Sequence, residues 1–150
     1  MQGESEKLER HLEKTAEKLD VAKVLNPSGF TPVHLAAYKG QNRTCEVLIN
    51  FVLNSDNYKG CPATPQDETE NSTNANAKES KKKRKVMQRR NHLRQWLNRH
   101  TQGEDSFTAL HFASFHGNLN LIRLFIKHGS DVRAQNKSGV NMMHVCAQGD

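Results

Sequence analysis

SFTALHFASFHGNLNLIRLFIKHGSDVRAQNKS, residues 106 to 138, decides how the chain folds. A short apolar segment, Ala109 to Ser114, runs into His116-Gly117-Asn118. A second, Leu119 to Ile126, runs into Gly129-Ser130-Asp131. The glycines end each segment and permit a turn, so the stretch predicts two short antiparallel helices with an irregular exit. The pattern recurs. His111 lies in Thr108-Ala-Leu-His-Phe-Ala113, and His144 lies thirty-three residues later in Asn141-Met-Met-His-Val-Cys-Ala147. His34 lies in Thr31-Pro-Val-His-Leu-Ala-Ala37. A fixed period of this size means a stack of like units that bury their apolar faces on one another.

The first copy runs from Gly29 to Gly40 and continues through Gln41 to Leu53. Thr31 suits a helix cap, and Pro32 suits the first turn, where a missing N–H is no loss. Ala36 and Ala37 let neighbouring helices approach closely. Cys45, Val47, Leu48, Phe51 and Val52 form the apolar face of a second helix.

Gly29-x-Thr-Pro-x-His-Leu-Ala-Ala-x-x-Gly40 resembles the ankyrin repeat signature almost residue for residue. Ser106 to Gly117 is similar to it, with Ala109 in the proline position, and Gly139 to Asp150 starts a third copy in which Asn141 replaces the threonine. The resemblance implies an all-α ankyrin-repeat solenoid of helix-turn-helix units. It divides the chain into a leading or capping helix (1–28), repeat 1 (29–53), an insertion (54–104), repeat 2 (105–138) and a partial repeat 3 (139–150). Leu110, Leu121, Leu124 and Phe125 of repeat 2 are the expected centre of the core. Two and a half repeats make a marginal stack, because about three are needed to bury a continuous core. The chain is therefore expected to be a fragment, a truncated product or one that needs a partner.

Residues 4 to 25 read as the leading helix, with Leu8, Leu12 and Leu19 on a sparse apolar stripe and Val21 to Leu25 apolar enough to dock. Its heptads are too few for a coiled coil. Asn26-Pro27-Ser28-Gly29 ends it.

Gly29 and Ser106 are 77 residues apart, 44 more than the family period of 33, so one long insertion lies between Leu53 and Phe107. Residues 54–80 are polar and of low complexity, with too little apolar surface to fold, and are expected to be disordered. Residues 81–101 are a basic segment in which Val86, Leu93, Trp96 and Leu97 fall on one arc, predicting a helix from about Val86 to Arg99. The net charge of +6 is concentrated here. Lys78 to Arg99 carries ten Lys and Arg against Glu79 alone, so the rest of the chain is slightly acidic.

Lys81-Lys82-Lys83-Arg84-Lys85 resembles a monopartite nuclear import signal. Consecutive cations in an extended segment suit the acidic groove of an import adaptor. Arg89, Arg90, Arg94 and Arg99 with Trp96 make an alternative phosphate-and-stacking surface for nucleic acid. The trio Leu93, Trp96 and Leu97 fits docking on the core better than base stacking.

His34, His111 and His144 recur at repeat spacing, and the resemblance gives them, with Thr31 and Thr108, the role of bracing adjacent repeats by local hydrogen bonds. Units stacked about 10 Å apart do not bring one histidine each within the roughly 2 Å bonds of a single zinc ion. The three cysteines, Cys45, Cys61 and Cys146, form neither a disulfide framework nor a zinc pattern. No catalytic motif and no phosphate-cradling loop is present. No catalytic, metal or cofactor site is expected. Without an apolar run of eighteen residues or a secretory leader, the expected setting is nucleus or cytoplasm, with no membrane contact.

The resemblance implies a non-enzymatic module that binds a protein partner through a concave surface of hairpin loops and first helices. On this chain that surface includes Tyr38, Lys39, Phe107, Phe115 and His116. An alternative is the regulatory or substrate-recruiting part of a larger enzyme. Ankyrin arrays precede palmitoyltransferase domains carrying Asp-His-His-Cys, and His144 to Asp150 is similar to some of them.

Overall fold

A computed structural model describes residues 2–15, 21, 23–54 and 75–149. Seven α-helices occur among them: α1 (Gln2–Thr15), α2 (Pro32–Tyr38), α3 (Asn42–Asn54), α4 (Ala75–Leu97), α5 (Ala109–Phe115), α6 (Leu119–Lys127) and α7 (Met142–Gln148). The described residues hold no β-strand, and an isolated bridge joins Gln135 to Asn141. The fold is the all-α repeat stack. Helices α2, α5 and α7 form an inner row, each packed on the next, while α3 and α6 back α2 and α5 as an outer row.

Helices this short are not stable alone, so each is held by its buried face. Val33, Ala36 and Ala37 of α2 and Ala109, Leu110 and Ala113 of α5 are buried, and the alanines let the inner helices meet closely. Leu121 and Phe125 of α6 are fully buried beside Leu110, with Leu124 half-buried at the edge. Removing any of the three buried side chains would cost about 2–5 kcal/mol. Helix α7 docks on α5 through Met142 and Val145, and Met143 faces solvent. The outer helices are tied at their starts, where the Asn118 amide donates to Asn42 Oδ1 at 2.7 Å.

The leading helix is shorter than its sequence predicts. It is described over Gln2–Thr15, and Val21, Lys23, Val24 and Leu25 are not helical; residues 16–20 and 22, with Leu19 among them, lie outside the described residues. Asn26 closes the turn that follows, its side chain accepting from the N–H groups of Ser28 (3.0 Å) and Phe30 (2.8 Å). The polar first half also docks, through Leu12 and the half-buried Leu8, onto α3, and Val21 of the second half is buried in the core.

The insertion carries the second difference. Helix α4 starts at Ala75, eleven residues before the Val86 that its apolar arc marks. Ala, Lys, Glu and Arg are strong helix formers and need no apolar face to extend a helix. An ion pair one turn apart, Glu79 to Lys83 at 2.9 Å, adds a few tenths of a kcal/mol. The last turns of α4 anchor on α3 by burying Leu93, Trp96 and Leu97. Buried Arg89 donates to the Leu53 carbonyl at 3.1 Å, capping the end of α3 with a cation. Val86 is exposed, so the apolar arc docks only beyond it. Residues 55–74, most of the stretch expected to be disordered, and Cys61 lie outside the described residues.

The chain regains the repeat register at Thr101. Each repeat begins with a turn closed by a backbone bond: Asn26 N to Phe30 O (3.0 Å), Thr101 N to Phe107 O (2.8 Å) and Asn136 N to Val140 O (2.9 Å). The middle turn is two residues longer than the others. The position held by Gly29 and Gly139, both at φ 75°, is held there by Ser106 at φ 58°.

Candidate functional site

Two braces set the inner face. In repeat 1 the Thr31 hydroxyl and N–H both donate to His34 Nδ1, at 2.7 and 3.2 Å. His34 Nε2–H in turn donates to the Arg99 carbonyl at 2.9 Å, across the insertion. Repeat 2 repeats the arrangement: Thr108 donates twice to His111 Nδ1, at 2.7 and 3.2 Å, and Nε2–H donates to the Val140 carbonyl at 3.2 Å. A carbonyl can only accept, so both rings are neutral Nε2–H tautomers. Burial pushes His34 down to about 4 and lowers His111 as well. In the third copy Asn141 replaces the threonine; its side chain accepts from the N–H groups of Met143 and His144, and His144 Nδ1 accepts from Asn141 N–H at 3.2 Å.

These histidines hold the repeats in register and leave the face between the braces to aromatics. Phe112 stands at its centre, stacked on Phe30 with ring centres 5.5 Å apart and edge-on to Tyr38 and Phe107 at 5.8 Å. His116 meets Tyr38 at 5.8 Å and Phe115 at 5.4 Å. Tyr38, Phe107, Phe112 and Phe115, closed off by Val145 and Gln148 of α7, surround a pocket of about 220 Å³. None of these side chains carries a formal charge. Tyr38 is 54% exposed and Phe115 51%, so the pocket presents large apolar surface to solvent.

Of the five surface residues expected from sequence, Tyr38, Phe107 and Phe115 line this pocket and His116 touches two of them. Lys39 caps α2 and is exposed, but it does not line the pocket. Phe112 was not singled out. Its signal is its alignment with Leu35 and Val145, the position after the bracing histidine, where a side chain leans onto the inner face.

The five cations Lys81, Lys82, Lys83, Arg84 and Lys85 are all exposed, in helix rather than the expected extended chain. The nucleic-acid surface is not assembled as expected. Trp96 is 2% exposed and cannot stack on bases, and Arg89 is buried against α3. Among the described residues no three or more His, Cys, Asp or Glu side chains gather as a metal site, and no helix is long and apolar enough to cross a membrane.

The ankyrin repeat family model matches residues 28–58 and 105–137. The first block ends inside the insertion, and the second coincides with the stretch from the Thr101–Phe107 turn to the Asn136–Val140 turn. The chain is 40% identical over 47 residues to the Notch-regulated ankyrin repeat-containing protein of Xenopus tropicalis, a match covering 31% of this chain and 41% of the relative. The protein of that name from Homo sapiens matches with the same identity and coverage, and protein A from Danio rerio is 40% identical over 47 residues, 42% of its length. The chain thus spans about two fifths of the curated relatives it matches. The Thr-x-x-His braces and the paired helices fall on the same two segments that match the ankyrin repeat model.

Proposed function

We propose that this chain is a non-enzymatic binding module whose aromatic pocket on the inner face takes an apolar anchor side chain of a protein partner. The observation that carries this reading is the exposed, uncharged pocket built jointly by both repeats, with Tyr38 and Phe115 half exposed at its rim. Aromatic side chains in such positions dominate interface energetics. The strongly shifted titratable groups, His34 and Cys45, are buried in packing roles rather than gathered in a cleft, which fits a module without chemistry. A displayed peptide library selected on the folded protein tests the reading. Selected peptides should share an apolar anchor and bind at least tenfold more weakly to Tyr38→Ala/Phe115→Ala at unchanged melting temperature. Unchanged binding to that variant rejects the pocket as the site.

A second reading concerns Lys81 to Lys85, for which an import adaptor is the partner. Residues 79–87 are all exposed, so these turns of α4 bury no side chain in the core. Like charges one turn apart, such as Lys81 and Lys85, weaken that helix, so it can open into the extended form an adaptor groove needs. A fluorescent reporter carrying residues 78–100 should enter the nucleus, and Lys82→Ala/Lys83→Ala should keep it out. A parent fusion that stays in the cytosol rejects the signal.

A further inference from the structure

A cleft of about 390 Å³ lies on the outer side of the stack, between the last turns of α4 and the C-terminal end of α6. It is independent of the aromatic pocket, which belongs to the inner row. Leu53 and Leu93 line it, together with Arg90, Arg94, Lys127 and His128. Among the described residues no acidic side chain lines it, and no carboxylate forms an ion pair with Arg90, Arg94 or Lys127. Asp131, just beyond α6, turns its carboxylate back to the N–H of Arg133 at 2.9 Å.

The walls are held in place. Asn98, just past α4, donates to the Gly129 carbonyl at 3.0 Å and accepts from Asp131 N–H at 2.7 Å, locking the two helix ends together. The stem of Arg94 lies on Gly129, where a Cβ would sit 3.3 Å from Arg94 Cγ. Gly129 is also left-handed at φ 94°, the conformation that favours glycine there. Burial, Lys127 and Arg90 all depress the pKa of His128, as expected where positive potential is concentrated. Three cations around a concave, partly apolar cleft focus that potential outward, and two arginines supply the forked donors that match phosphate oxygens.

We infer that this cleft is an anion site that takes a phosphate monoester, presented as a phosphorylated serine or threonine side chain of a protein partner. A compact cleft with Leu53 and Leu93 beside its cations suits one dianion and the apolar atoms next to it. A nucleic-acid strand needs stacking surfaces as well as cations, and the chain's one tryptophan is buried.

The test uses the full chain, with N-acetyl-phosphoserine amide as probe, N-acetyl-serine amide as control and oligo-dT as the competing chemistry. Binding is followed by NMR at the His128 imidazole and the Gly129 amide. The phosphorylated probe should shift both signals and the control neither, with binding weakened at least tenfold in Arg90→Gln/Arg94→Gln. Lys127→Gln, at an exposed position, should weaken it several-fold and serves if the double variant loses its fold. Tyr38→Ala/Phe115→Ala should bind the probe as the parent does, which separates this inference from the aromatic pocket. Unchanged binding in the arginine and lysine variants, no shift at His128 or Gly129, or oligo-dT binding more tightly through the same residues each overturns it.

Discussion

Acidification should loosen the stack through His34 before ordinary carboxylates titrate. His34 Nδ1 accepts two hydrogen bonds from Thr31 while Nε2–H donates to Arg99, so the ring must be neutral to serve as a brace. A proton on Nδ1 would face two donors. Burial holds the folded pKa at about 4 against 6.5 for the unfolded chain. The unfolded state therefore takes up the proton first as pH falls. The stability tied to the neutral ring is present above pH 6.5, is lost between 6.5 and about 4, and is level below. At about 1.4 kcal/mol per pKa unit the full loss is roughly 3 kcal/mol, of which about 2 kcal/mol falls between pH 7 and pH 5. His111 is shifted in the same direction and adds to it. Urea unfolding followed by circular dichroism should show a clearly lower midpoint at pH 5 than at pH 7, and the His34 imidazole resonance should stay neutral down to about pH 4. A midpoint unchanged between those pH values, or a His34 resonance titrating near 6.5, would refute the buried-brace account.

Other expectations follow from single residues. Ser106 sits in the left-handed region where its counterparts are glycine, so Ser106→Gly should raise stability by about 1 kcal/mol, read as a higher melting temperature. Leu97 is fully buried at the junction of α4 with the repeats, and Leu97→Ala should cost about 2–5 kcal/mol in urea unfolding. Cys45 is buried, its thiol pushed up to about 12, while Cys146 is exposed. Iodoacetamide should modify Cys146 in the native protein and Cys45 only after unfolding, as mass spectrometry would show.

The repeats were legible because each Thr-x-x-His unit encodes its own cap, brace and turn within a dozen residues. The centre of the core was legible for the same reason, since Leu110, Leu121 and Phe125 follow the helical period. Features set by distant partners were harder to read. That Arg89 is buried depends on the Leu53 carbonyl, 36 residues away, and charge alone gives no sign of it. Helix α4 begins in a polar stretch because local propensity, unlike burial, leaves no apolar trace. The Asn26 side chain, accepting from Ser28 and Phe30, closes the turn that Asn26-Pro27-Ser28-Gly29 marks in the sequence. At the candidate site, Tyr38, Phe107 and Phe115 could be placed on the inner face by register. The pocket they share depends on Phe112 at their centre and on α7 beyond it.

The end of the insertion is an integral part of the repeat stack, packed on α3 of repeat 1 and tied through Asn98 to the end of α6 in repeat 2. Amide hydrogen exchange resolved along α4 tests it most directly. Leu93 to Leu97 should exchange as slowly as the buried turns of α3 and α6, while Lys81 to Met87 exchange quickly, since those residues are all exposed. Uniformly fast exchange from Ala75 to Leu97 would show that α4 does not pack on the stack.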